Sequence, residues 1–120
     1  MIPYGRQDVT NEDIEEVIRV LKSDFLTQGP VVPEFEKSIS TYCGVSYAYA
    51  MNSATSALHI ACMALEVGRG DIVWTAANTF AASSNCALYC NASIDFVDID
   101  PVSYNMSISD LKSKLQLAET

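Results

Sequence analysis

From residue 46 onward the chain alternates short apolar runs with helix-patterned segments, and no other feature limits the fold so tightly. SYAYAM (46–51) reads as a first strand. NSATSALHIA (52–61) follows it, and Leu58, Ala61, Cys62 and Leu65 continue that stretch as a helix which Gly68 and Gly70 end. IVWT (72–75) is a second strand. Residues 77–90 form a loop turning into a helix that Asn91 terminates. SIDFVDI (93–99) is a third strand, broken by Pro101. A last helix runs from about Ser109 to Leu117, with Ser107 and Asp110 at capping-box spacing ahead of it. Strands separated by single helices imply right-handed crossovers and a mostly parallel sheet with flanking helices. The expected fold class is therefore α/β. Three strands leave two bare edges, so the pattern also points to a piece of a larger protein.

Two helices precede this series. Thr10 and Asp13 make a capping-box start, and Ile14, Val17, Ile18 and Leu21 repeat at helical spacing until about Ser23. DFLTQGPVVP (24–33) reads as a loop, because a helix does not cross Pro30 and Pro33. The second helix is expected from Glu34, with Phe35, Ile39 and Tyr42 on one face and Gly44 as its left-handed end.

A chain of 120 residues has room for one modest domain, and 49% apolar residues argue against disorder. Fifteen acidic residues against seven basic ones give a net charge of −8. That argues against a nucleic-acid backbone or an anionic membrane surface as partner, since both need clustered Lys and Arg. No window approaches the roughly 20 apolar residues of a membrane span. MIPYGRQDVT has no basic region followed by an apolar core, so no signal peptide is expected and a cytoplasmic location is. Cys43, Cys62, Cys86 and Cys90 form no CxxC pair, and His59 stands far from zinc-finger spacing. Reduced thiols acting as small apolar groups are the expectation.

The chemistry sits at two strand-to-helix junctions. In NSATSALHIA, Ser53, Thr55 and Ser56 stand where the helix begins, with no charge and no bulk. Ser53 as an ordinary N-cap accounts for the stretch. So does a phosphate seat, since the first helical N–H groups are free and the dipole there is positive. Neither a Walker motif nor GxGxxG is present. At the next junction Phe80 follows Asn78 and Thr79, off the apolar face of the coming helix. A flat aromatic beside a phosphate seat suits a planar ring carrying that phosphate, although a core role for Phe80 is the commoner use.

The segments TQGPVVPEFE, NSATSALHIA, IVWTAANTFAASSNCALY and FVDIDPVSYN, in this order and spacing, resemble the N-terminal portion of the DegT/DnrJ/EryC1/StrS aminotransferases. The resemblance covers nearly all of residues 1–110, and it is specific as a set although no single segment is. These are pyridoxal-phosphate (PLP) enzymes acting on nucleotide-linked keto sugars. The opening MIPYGRQDVTNEDIEEVIRVLKSDFLTQGP is most similar to the branch that aminates UDP-linked 4-keto-6-deoxy-N-acetylhexosamines of pseudaminic-acid-type pathways.

The resemblance implies the N-terminal part of a fold-type-I PLP-dependent transferase large domain, a nucleotide-sugar substrate, glutamate as amino donor, and a homodimer in the full-length enzyme. It matches Ala54, Thr55 and Ser56 to the turn that holds the cofactor phosphate, and Phe80 to the aromatic that stacks on the pyridine ring. It matches Tyr4 and the Thr27–Gly29 stretch to segments near the substrate. Residues 1–33 are then an N-terminal helix with a substrate and dimer loop, and 34–120 a partial PLP-binding domain. Ala54 departs from a family that often has Gly there, so the turn is expected to keep ordinary backbone angles.

The lysine that attaches the cofactor and the acid that pairs with the pyridine nitrogen are implied beyond residue 120. Lys22, Lys37, Lys112 and Lys114 read as solvated-face residues, and the piece alone is expected to be inactive. Asp95, Asp98 and Asp100 read as strand-end and turn residues in place of a metal cluster, and His59 as packing or surface. Two other functions fit the residues: a PLP-dependent sugar dehydratase of the same broad family, and a non-catalytic α/β phosphate- or nucleotide-binding module.

Overall fold

The computed structural model describes residues 4–118. Two compact units are present, Met1–Ala50 and Met51–Thr120.

The first unit holds helices α1 (Asn11–Leu21) and α2 (Val31–Cys43). The α1 start forms as its sequence requires. Asp13 N–H donates to Thr10 Oγ1 at 3.3 Å, and Thr10 N–H donates to the Asp13 carboxylate at 2.8 Å. Thr10 holds the Asp13 carboxyl below the usual carboxylate range, its backbone N–H contributing most. The stripe of Ile14, Val17, Ile18 and Leu21 is exposed along its length.

Helix α2 corrects an expectation, since it begins at Val31, ahead of Pro33. Pro30 occupies the N-cap and Pro33 the third helical position, where N–H groups have no intrahelical acceptor. A proline there forfeits no helical hydrogen bond. Gly44 ends α2 in the left-handed region (φ +66°), as expected. In the loop before α2, a Cβ on Gly29 would stand 2.9 Å from Phe25 Cβ and 3.1 Å from Phe25 O. Gly29 is there for a close approach, while Gln28 takes the positive φ (55°).

SYAYAM is not a strand, which corrects a second expectation. Residues 46–50 carry no regular secondary structure, and Ala50 N–H donates to Glu36 Oε1 at 2.8 Å. The sheet of the described residues has two members only. An apolar run becomes a strand through the neighbour it pairs with, and residues 46–50 have none among the described residues.

The second unit contains α3 (Ala54–Ala64), β1 (Ile72–Ala76), α4 (Ala82–Tyr89), β2 (Ser93–Val97) and α5 (Ile108–Ala118). Strands β1 and β2 pair in parallel, from Ile72 opposite Ser93 to Ala76 opposite Val97. Helix α4 is the crossover between them and packs on both strands and on α3. The core lies under α4: Ala82, Cys86, Ala87, Ala92 and Val97 are its buried apolar residues. Helix α3 ends earlier than Gly68, because Glu66 itself takes the left-handed position (φ 59°). Asn91 ends α4 in the same way (φ 62°).

Cys62 on α3 interacts with Cys86 on α4 and with Cys90 at the α4 C-cap, and no cysteine is disulfide-bonded. Burial first, and the neighbouring Cys86 second, push the Cys62 thiol up, so it stays protonated and packs as a small apolar group. Next to this contact the His59 and Tyr89 rings meet edge to face at 5.3 Å, which gives His59 a packing role.

Lys114 has a partner that its sequence position did not show. It pairs with Asp95, joining α5 to β2. That hydrogen bond is the main cause holding the Asp95 carboxyl below its ordinary value. A carboxylate with a depressed folded pKa stabilises the fold above its unfolded pKa, and the contribution is lost as pH falls through the folded value. In hydrogen-exchange mass spectrometry, corrected for intrinsic rate, α5 is expected to lose protection as pH drops below the usual aspartate range. Lys114→Met should lower that protection at neutral pH and leave it nearly flat across the same acid window.

Candidate functional site

The small-residue turn lies at the N-terminus of α3. Ser53 is its N-cap: the backbone is extended there, and its hydroxyl accepts from Ser56 N–H at 3.1 Å. The Ser53 and Ser56 hydroxyls stand 3.0 Å apart, and Ala57 N–H donates to Ser53 O. This cap satisfies the later donors of the first turn and leaves the earlier ones. The N–H groups of Ala54 and Thr55 make no hydrogen bond among the described residues, nor does the Thr55 hydroxyl. The cap and the anion seat are therefore compatible uses of one stretch. Ala54 is the first helical residue and has no positive φ, as expected from its side chain.

The donor set consists of two backbone N–H groups and one hydroxyl, at the positive end of an 11-residue helix. No Lys or Arg occurs between residues 38 and 68, so the set is neutral. Such donors complement phosphate oxygens at short range, and the Ala54 methyl leaves the backbone approachable. The turn fits a phosphate group.

The second element is the loop between β1 and α4. Its helix side is fixed by Thr79 and Ser83, whose hydroxyls lie 3.1 Å apart, and by Ser83 N–H donating to Phe80 O at 2.9 Å. Phe80 is 77% exposed, so its ring is not a core ring. Because β1 and β2 are parallel, the loops after them leave the same edge of the sheet. The loop after β2 is closed by Asp100, whose carboxylate accepts from Val102 N–H (3.0 Å) and Ser103 N–H (2.7 Å). Those contacts, Ser103 N–H first, hold the Asp100 carboxyl low. Asp98 accepts from Ile99 N–H, and Asp95 is paired with Lys114. Each of the three aspartates thus has a structural partner, local for Asp98 and Asp100 and across to α5 for Asp95.

Asn78 was not singled out by its residue type. Its amide Nδ2 donates to Tyr104 O at 3.1 Å and so joins the two loops. The only signal in the sequence was its place two residues before Phe80.

Ala54, Thr55, Ser56 and Phe80 belong to the second compact unit, where α3 packs on α4. Tyr4, Thr27 and Gly29 belong to the first. Tyr4 and Thr27 are exposed and Gly29 is partly covered by Phe25. Among the described residues no helix is long and apolar enough to cross a membrane.

The chain is similar to known proteins over most of its length. It is 44% identical over 99 residues to UDP-4-amino-4,6-dideoxy-N-acetyl-beta-L-altrosamine transaminase of Campylobacter jejuni subsp. jejuni serotype O:23/36 (strain 81-176), covering 82% of this chain and 26% of that protein. It is 41% identical over 85 residues to GDP-perosamine synthase of Caulobacter vibrioides (strain ATCC 19089 / CIP 103742 / CB 15), covering 71% and 23%. Among solved structures, the PLP form of Spr1654 from Streptococcus pneumoniae superposes with a TM-score of 0.88 at 35% identity, over 93% of this chain and 29% of that one. The chain thus spans less than a third of the length of these relatives. Residues 7–118 match the model of the DegT/DnrJ/EryC1/StrS aminotransferase family. With its α/β fold, its parallel strands and this match over nearly its whole length, the chain belongs to the DegT/DnrJ/EryC1/StrS aminotransferase family.

Proposed function

We propose that this chain supplies the cofactor-phosphate end of a PLP-dependent aminotransferase that moves an amino group, from glutamate, to a nucleotide-linked 4-keto-6-deoxy sugar in surface-glycan biosynthesis. The carrying observation is the α3 N-terminus, where two N–H groups without a partner among the described residues and the Thr55 hydroxyl stand at the turn of small residues. Ala54, Thr55 and Ser56 hold the phosphate, and Phe80 presents its exposed ring to the pyridine face. When bound, PLP supplies the carbonyl that takes up the donor's amino group and the ring that accepts electron density. The chain's own contribution is orientation. A phosphate held by backbone donors and a ring held by an aromatic face leave the reactive end of the cofactor little freedom.

Tyr4 and the Thr27–Gly29 stretch face the nucleotide sugar in this reading, within residues 1–33, which also take part in a homodimer. The partial PLP-binding domain of this reading, residues 34–120, takes in most of α2 together with the second compact unit. The attaching lysine lies outside these 120 residues, so the piece alone transfers nothing. The 44% identity to the altrosamine transaminase supports a UDP-linked N-acetylhexosamine as substrate. Phosphorylated cofactor and nucleotide sugar are both cytoplasmic metabolites, which supports a cytoplasmic enzyme.

The test is a stoichiometric assay of the complete enzyme with PLP, L-glutamate and a UDP-4-keto-6-deoxy-N-acetylhexosamine. One 2-oxoglutarate is expected per aminated sugar nucleotide. Loss of water from the sugar without 2-oxoglutarate would contradict the proposal and mark a dehydratase.

A further inference from the structure

We infer that Asn78 is a positioning residue that sets the Phe80 ring through the backbone of the β1–α4 loop, an inference that rests on the cofactor reading above. Phe80 carries an exposed ring on a short loop, and no core packing fixes it. What surrounds it in sequence is fixed on both sides. Thr79 is tied forward to Ser83 at the start of α4. Asn78 is tied sideways to Tyr104 O at 3.1 Å.

The acceptor side is itself rigidly made. Tyr104 takes a left-handed backbone (φ 59°), which a tyrosine adopts only when its surroundings hold it. Its N–H donates to Asp100 O at 2.9 Å, and Asp100 N–H donates to Asn105 O at 2.9 Å. Ile99 and Met106 form an antiparallel bridge that closes the loop at its base. The Tyr104 carbonyl is thus held by local hydrogen bonding, and the Asn78 amide transfers that order to the neighbouring loop. An amide is suited to this place because it donates without charge. An aspartate of the same shape has no donor and would repel the Tyr104 carbonyl.

The experiment is a double-mutant cycle in the complete holoenzyme, with Asn78→Ala, Asn78→Asp and Phe80→Leu, alone and combined. The readouts are the visible circular dichroism of bound PLP and the cofactor dissociation rate, with the melting temperature of each apoprotein as control. Each Asn78 variant is expected to reduce the visible dichroism and to speed dissociation by about three- to tenfold, in keeping with one lost neutral hydrogen bond. In the Phe80→Leu background the same changes should have almost no further effect, because the ring that Asn78 sets is gone. Additive effects of Asn78 and Phe80, or Asn78 variants that match the parent in both readouts, would overturn the inference. If Phe80→Leu itself left both readouts unchanged, the cofactor reading of the loop would fall as well, so the two failures are distinguishable.

Discussion

Thr55→Val in the complete enzyme is expected to raise the Kd for PLP by roughly ten- to a hundredfold, with little change in melting temperature of the apoprotein. A hydrogen bond to a charged group contributes about 1.5–3 kcal/mol, which is that range in affinity. Valine keeps the shape of threonine and removes only the hydroxyl. The hydroxyl has no partner among the described residues, so its removal breaks no hydrogen bond there. Changing both Thr55 and Ser56 to leucine should go further and prevent retention of the cofactor through dialysis. Bulk at the first turn keeps the phosphate off the Ala54 and Thr55 amides, and the Ser53–Ser56 hydroxyl contact is lost too. Equilibrium titration followed by cofactor absorbance checks both variants.

The 120-residue chain by itself is expected to lack a sharp cooperative unfolding transition and to self-associate as concentration rises. Only five apolar residues are buried among those described, and Val97 is the one large side chain fully enclosed. Meanwhile Ile14, Val17, Leu21, Phe35, Leu58 and Phe96 are exposed with many others. Ordering a residue's backbone costs about 1–2 kcal/mol, and a core this small offsets little of that. Exposed apolar faces of this extent favour association. Calorimetry with sedimentation velocity decides the point. A monomer at all concentrations with a sharp transition would contradict it.

The elements that could be read from sequence were those whose cause is local. Thr10 and Asp13 marked the start of α1, Gly44 the end of α2, and Asn91 the end of α4, because caps and left-handed residues act within one turn. β1 and β2 were legible as apolar runs on either side of a helix of crossover length. SYAYAM failed because pairing is not local: alternation gives a run the capacity to be a strand, and only a neighbour makes it one. Pro30 and Pro33 do not bar the helix, since a proline is harmless in a first turn that has no intrahelical acceptors.

The site divides along the same line. The free donors at Ala54 and Thr55 follow from the cap at Ser53, which the sequence displayed. The tethers of Asn78 to Tyr104 and of Lys114 to Asp95 span 26 and 19 residues, and a separation of that size leaves no trace in periodicity or composition.

Whether the α3 turn seats the cofactor's phosphate is decided by comparing PLP with pyridoxal, which has the same ring and no phosphate. Dissociation constants for both ligands are measured in the parent enzyme and in Thr55→Val. The parent is expected to prefer PLP, and Thr55→Val to narrow this preference by about tenfold or more, through weaker PLP binding with pyridoxal binding unchanged. A variant that keeps the parent's full preference for PLP, or that weakens both ligands equally, would contradict it.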